Sequence, residues 1–141
     1  MSNIVLISCV KKKGNSKAKA RDLYTSPLFK YGLKYAETKI KPKPDKIFIL
    51  SAKHGLLGLD KVIEPYDKSL NNMNREEQRA WVKKVFDKIK KEFDVDKDTF
   101  SFLAGKNYYK DLTGLLPKNK ILCSQPMGKR LQWLKNELGE V

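Results

Sequence analysis

From Ile4 to Ile7 the chain sets four apolar residues side by side, in a sequence of which 33% is charged. A strand with one wet face alternates apolar and polar side chains, and this run does not. Asn3–Cys9 (NIVLISC) is therefore predicted to be a central strand buried on both faces, the signature of a parallel sheet with helices on each side.

The rest of the chain fits such a sheet. Ser26-Pro27 reads as a helix start, with Ser as cap and Pro at the first helical position. The helix after it presents Leu28, Tyr31, Gly32, Tyr35, Ala36 and Ile40 on one face, and Lys41-Pro42-Lys43-Pro44 stops it. Lys46–Ala52 is a second strand. Asn74-Arg75-Glu76-Glu77 has the spacing of a capping box, opening a helix that runs to about Phe93 with Trp81, Val82, Val85, Phe86, Ile89 and Phe93 facing inward. Thr99–Ala104 is a third strand, broken by Gly105. A short helix carrying Tyr108, Leu112, Leu115 and Leu116 then ends at Pro117. Lys120–Ser124 is a fourth, short strand, and Pro126 opens a last helix that stops at Gly139. Strands alternate with helices, so the expectation is one α/β domain over residues 1–141. It is three-layered and Rossmann-like, with a mostly parallel sheet of about four strands and helices on both faces. Strand order is not legible.

One connection breaks the pattern. Between Leu50 and Leu70 the sequence (LSAKHGLLGLDKVIEPYDKSL) is too long and too apolar for a plain connector. It holds His54, the one histidine of the chain. An ordered loop folding back over the protein is expected, either to carry function or simply to seal the core.

Net charge is +14, from 30 Lys plus Arg against 16 Asp plus Glu. Residues 9–46 alone hold twelve Lys/Arg and three Asp/Glu, a net of +9. A focused positive field favours polyanions. Nucleic acid or a nucleotide-like ligand is the expected partner, with Lys12, Lys17, Lys19 and Arg21 as contacts to nucleic acid. No apolar run approaches the roughly 18 residues of a membrane span. Met1-Ser2-Asn3 leads straight into a strand, so neither a signal peptide nor a membrane partner is expected, and the default location is cytoplasmic. Cys9 and Cys123 are too few for a disulfide framework and are expected to be reduced, Cys123 buried at a strand end. Without a Cys-x-x-Cys pair, no structural zinc site is expected.

In parallel α/β sheets, ligands sit beyond the carboxyl ends of the strands. The residues there are Ser8, Cys9, Lys11, Lys12 and Lys13; Ser51, Lys53, His54 and Gly55; Gly105, Lys106, Asn107 and Tyr108; and Ser124, Gln125 and Lys129. Ser8, Ser51, His54, Tyr66 and Tyr108 are expected to line one concave pocket, with Lys11 or Lys13 at its rim. Glu64 is expected to turn inward beside Tyr66. If the site is catalytic, Lys11, Lys13, His54, Glu64 and Tyr66 are the candidates. Ser8, Cys9, Ser51, Lys53, Gly55, Gly105 and Tyr108 would then hold the ligand. There is no P-loop, no Gly-x-Gly-x-x-Gly and no nucleophile elbow around either serine, so no cofactor is expected and no standard reaction is indicated.

Three stretches resemble the YaaA-like family, the peroxide-stress proteins and their short phage- and plasmid-borne relatives. They are Val5-Leu6-Ile7-Ser8 with Lys11; Leu50-Ser51 with Gly55, Leu57, Leu59 or Asp60 and Pro65-Tyr66; and Leu103-Ala104-Gly105 with Tyr108-Tyr109-Lys110. Asp22-Leu23-Tyr24 also recurs in the short relatives. His54 stands where the long members have Tyr, and Gly105 replaces a Ser. A weaker similarity links Cys9 and Lys13, as Cys-x-x-x-Lys, to a motif of archaeosine synthases, which modify a deazaguanine base in transfer RNA. The resemblance implies a small basic protein that binds nucleic acid or a nucleotide-like ligand in a stress-response or genome-protection role. The extra helical DNA-binding portion of the long members is not expected here. Two alternatives stay open: an enzyme acting on a nucleobase or nucleoside, and an accessory protein that binds another protein. Oligomeric state is not legible.

Overall fold

The computed structural model describes residues 1–10 and 13–139. Its centre is the apolar run: β1 (Asn3–Ser8) lies between β3 (Lys46–Ser51) and β6 (Thr99–Leu103), parallel to both. A fourth parallel strand, β7 (Asn119–Ile121), pairs with β6. In register, Ile4 faces Lys46 and Phe100, and Ile7 faces Ile49 and Leu103. From Ile4 to Ile7 each residue is at most 3% exposed, as its lack of polar side chains requires.

The sheet has five strands, not about four, and it is mixed. Its order is β4-β3-β1-β6-β7, and β4 (Gly55–Gly58) runs antiparallel to β3. This edge strand comes from the stretch expected to be a loop. Ala52–His54 form a tight turn, and Gly55, at φ +72°, takes the left-handed conformation that reverses the chain. Leu56 and Leu57 are then buried as strand residues. A four-residue strand entered through a turn leaves too short a pattern for periodicity to detect. Lys88 donates to the Leu56 carbonyl (2.8 Å) and Lys84 to that of Lys53 (3.1 Å), so lysine ammoniums cover this edge.

The lysine-rich stretch after β1 also holds structure that its polarity hid. β2 (Ala18–Lys19) pairs antiparallel with β5 (Val62–Ile63), and a one-turn helix, α1 (Ala20–Leu23), follows. Ala20, Leu23 and Tyr24 are buried and fix this segment to the core.

α2 (Pro27–Thr38) starts as expected, with Ser26 Oγ accepting the Leu28 N–H at 3.2 Å. It ends before Ile40, and Phe29 and Leu33 belong to its buried face. At Gly32 a Cβ would meet Leu103 Cδ2 at 3.4 Å, so the missing side chain lets α2 lie close to the sheet. α5 (Met127–Glu137) packs beside it, with the rings of Tyr35 and Trp133 5.1 Å apart. The other face carries α3 (Arg75–Glu92), just past which Phe93 sets its ring edge-on to Phe48 and Phe100. The capping box at its start is complete: Asn74 Oδ1 accepts the Glu77 N–H, and Glu77 Oε1 accepts the Asn74 N–H.

Two later boundaries shift. β7 covers Asn119–Ile121 and ends short of Ser124. The helix after β6 is a single turn, α4 (Lys106–Tyr109), followed by turns in which Leu112 and Leu116 are buried and Leu115 is exposed. The buried carboxylate of Asp98 accepts the N–H groups of Ser2 (2.7 Å) and Asp94 (2.9 Å), tying the start of β1 to the turn before β6. No helix among the described residues is long and apolar enough to cross a membrane.

Candidate functional site

The parallel register sends β1 and β6 out of the sheet at the same end, and a hollow of about 550 Å³ opens there. Ser8, Cys9 and Val10 form one wall, continuing β1. Gly105, Lys106, Asn107 and Tyr108 form a second, continuing β6. The segment from Asp67 to Asn72, which contains a single 3-10 turn at Leu70–Asn72, closes a third side, and Arg130 of α5 closes the fourth. The Asn107 amide donates to Asn71 Oδ1 and links two of these walls. Among the described residues, four cationic side chains (Lys13, Lys68, Lys106 and Arg130) border the hollow against one carboxylate, Asp67.

The buried polar groups are held by specific partners. The Tyr108 hydroxyl lies 3.4 Å from Cys9 Sγ and accepts the Leu70 N–H at 3.4 Å. Burial, with Cys9 adding to it, pushes the Tyr108 phenol well above its ordinary range. Cys9 itself is held in line by its N–H, which donates to the Leu50 carbonyl at 3.0 Å. Cys9 and Cys123 are both buried, free thiols.

Beside the hollow runs a chain of hydroxyls. Tyr24 Oη and Tyr66 Oη are 2.5 Å apart, Tyr66 Oη is 2.8 Å from Ser51 Oγ, and Ser51 Oγ accepts the His54 N–H at 3.0 Å. Trp81 donates its indole N–H to the Ser51 carbonyl at 2.8 Å, fixing the strand end. Burial raises the Tyr24 phenol to about 12, against a hydrogen bond from Tyr66, and raises Tyr66 further. Lys13 lies with Nζ 4.5 Å from the centre of the Tyr66 ring, a cation–π distance. Burial lowers the Lys13 ammonium below its usual value, with Cys9 and Asp67 opposing. Lys13 thus stands between the two groups, bordering the hollow on one side and the Tyr66 ring on the other.

The expected single pocket is therefore divided. Ser8, Cys9, Lys13, Gly105 and Tyr108 share the hollow, whereas Ser51 and Tyr66 point their hydroxyls at each other and at Tyr24. His54 packs its ring edge-on against Tyr66, centroids 5.5 Å apart. Its Nε2 is buried without a hydrogen-bond partner among the described residues, and burial, then Lys53, Lys84 and Lys61, lower its pKa. Lys53 Nζ lies 6.0 Å from the Tyr66 ring centre and borders a separate hollow of about 240 Å³ beside Trp81. Gly55 serves the chain reversal. Glu64 is exposed and does not turn inward with Tyr66. Lys17 and Lys19 are exposed, while Arg21 is engaged by Asp60 (3.2 Å) and Glu37 (3.6 Å). Lys11 and Lys12 lie outside the described residues.

Two members were not foreseen from sequence. Arg130 hides in a run of polar helix residues, yet it precedes Leu134 by four and so shares that buried residue's face. The other is Ser69, Asn71 and Asn72, which follow Tyr66 and Asp67 at the far end of the long connection and carry no motif. Its signal was Leu70, an isolated apolar residue that proves fully buried.

Residues 4–136 match one family, described as "Family of unknown function (DUF6884)". No curated protein matches the chain, and no solved structure does.

Proposed function

The chain belongs to DUF6884, a family of unknown function, and from that premise we propose that it binds a nucleotide-like ligand, free or within a nucleic acid, in the hollow at the strand ends. The observation that carries the reading is the composition of the hollow: four cations to one carboxylate, with the amides of Asn71, Asn72 and Asn107 and the ring of Tyr108. The cations suit phosphate, the amides suit base edges, and the volume of about 550 Å³ falls in the range of small-ligand sites. The three-layer, Rossmann-like reading of the sheet supports the same location. A cytoplasmic role in stress response or genome protection, as in the YaaA-like proteins that the motifs resemble, belongs to this proposal. Calorimetric titration with nucleoside monophosphates, and anisotropy titration with short DNA and RNA at two salt concentrations, test it. Binding that weakens as salt rises is expected, because contacts to phosphate release counterions. Absence of binding to all of these at low salt would remove the reading.

A second reading, an enzyme acting on a nucleobase or nucleoside, is favoured by one feature. Cys9, a potential nucleophile, lines the hollow within 3.4 Å of the Tyr108 hydroxyl. Release of a free base from nucleosides incubated with the wild type and not with Cys9→Ala would establish it.

A further inference from the structure

Arg130 is 5% exposed, yet among the described residues its side chain makes no hydrogen bond and no ion pair. No guanidinium nitrogen of Arg130 is sealed from solvent without a partner, so the head opens onto the hollow; a guanidinium so placed is suited to bind carboxylate or phosphate groups. Burial lowers its pKa, with Cys123 and Tyr109 acting in the opposite direction. One side of the residue borders a small void among Leu28, Leu103 and Leu134, and the other borders the large hollow. Its head reaches the end of β6, where a Cβ built on Gly105 would lie 4.0 Å from Nη1. Glycine at this position keeps the space before the guanidinium open.

We propose that Arg130 is the anchor for a phosphate monoester, which enters the hollow and supplies a partner that none of the described residues provides. This deepens the nucleotide-like reading and rests on it for the rest of the ligand. Charge selects phosphate over a carboxylate. Among the described residues, Lys13, Lys68, Lys106 and Arg130 against Asp67 leave three net positive charges around the hollow. A phosphate monoester brings roughly −1.5 to −2 near neutral pH, whereas a carboxylate brings one negative charge and fewer acceptor positions. The guanidinium fork also matches two oxygens of a phosphate at once.

The test compares wild type with Arg130→Met and Arg130→Lys, using inorganic phosphate, acetate, a set of nucleoside monophosphates and the corresponding nucleosides. Calorimetry reads affinity, and thermal unfolding reads stability without ligand. Monophosphates should bind the wild type about 10-fold or more tightly than nucleosides, the scale of a hydrogen-bonded charge pair. Arg130→Met should erase that preference and Arg130→Lys should restore part of it. Without ligand, Arg130→Met should unfold at about the same temperature as wild type, because no pairing with a described residue is lost. If monophosphates and nucleosides bind wild type and Arg130→Met alike, the nucleotide reading stands and the anchor is overturned. If no nucleoside or nucleotide binds but phosphate, and not acetate, stabilises wild type and not Arg130→Met, the anchor stands and the nucleotide reading falls. If Arg130→Met melts well below wild type while Arg130→Lys does not, and the wild type responds to no phosphate compound, the arginine is structural and the anchor is overturned.

Discussion

Tyr66 Oη and Ser51 Oγ lie 2.8 Å apart, closing a fifteen-residue excursion of the chain back onto the strand it left. The same phenol meets Tyr24 Oη, so one side chain joins the end of β3 to the segment that follows α1. Tyr66→Phe deletes that junction and leaves two buried hydroxyls short of a partner. We expect a loss of about 1–2 kcal/mol in unfolding free energy, measured by urea titration. An unchanged midpoint would show that Tyr24 and Ser51 find each other directly.

His54 makes stability depend on acid. Its pKa is lowered in the folded protein, so between that value and 6.5, the ordinary value, the unfolded chain holds more protons. Stability is therefore complete above pH 6.5 and is lost as pH falls toward the folded pKa. The imidazolium also carries an N–H on Nε2, which has no acceptor among the described residues. His54→Gln should flatten the slope of unfolding free energy against pH in this window. An identical slope would assign the acid sensitivity to other groups.

At the alkaline end the sign is opposite. Tyr24, Tyr66 and Tyr108 all ionise above the ordinary 10, Tyr24 at about 12, because burial disfavours the phenolate. The unfolded chain therefore releases these protons first, and stability falls as pH rises above 10. An ultraviolet titration of the six tyrosines should show an early group and a late group, the late one appearing only with unfolding. Simultaneous titration of all six below the unfolding transition would contradict the buried hydroxyl chain.

Asp98→Ala should cost about 1–3 kcal/mol, since it strands the buried N–H groups of Ser2 and Asp94 together. Hydrogen exchange should then quicken at Ser2 and at the edge of β6, before the centre of the sheet responds. Uniform acceleration throughout the sheet would mean that the carboxylate matters only to global stability.

Gly55→Ala should destabilise by about 1 kcal/mol or more. The nearest atoms to an added Cβ belong to Lys84 at 3.5 Å, an ordinary contact, so the cost would come from the backbone at φ +72°. Thermal unfolding reads it directly, and a variant as stable as wild type would show that the turn can relax.

What the sequence made legible was whatever a single stretch decides by itself. Ile4–Ile7 declared a doubly buried strand, Asn74 and Glu77 declared a helix start, and Ser26-Pro27 another. Parallel topology then brought Ser8, Cys9, Lys13, Gly105 and Tyr108 to one hollow. Illegible were features decided by distant partners. β4 exists because a glycine turn offers Leu56 and Leu57 to β3, and in isolation its four residues favour nothing. Tyr66 reads as a site residue by its motif, but its hydroxyl is claimed by Ser51 and by Tyr24, forty-two positions away. Arg130 reads as a surface charge until α5 is docked against α2.

The lysines over β4 bear on how these molecules meet one another. A bare edge invites a strand from a neighbouring copy, which would extend the sheet and start an aggregate. Here such a strand would have to displace the ammonium of Lys88 from the Leu56 carbonyl and settle beside an uncompensated charge. The β4 margin of the sheet is thereby kept from serving as a template, and copies crowded together need not join along it.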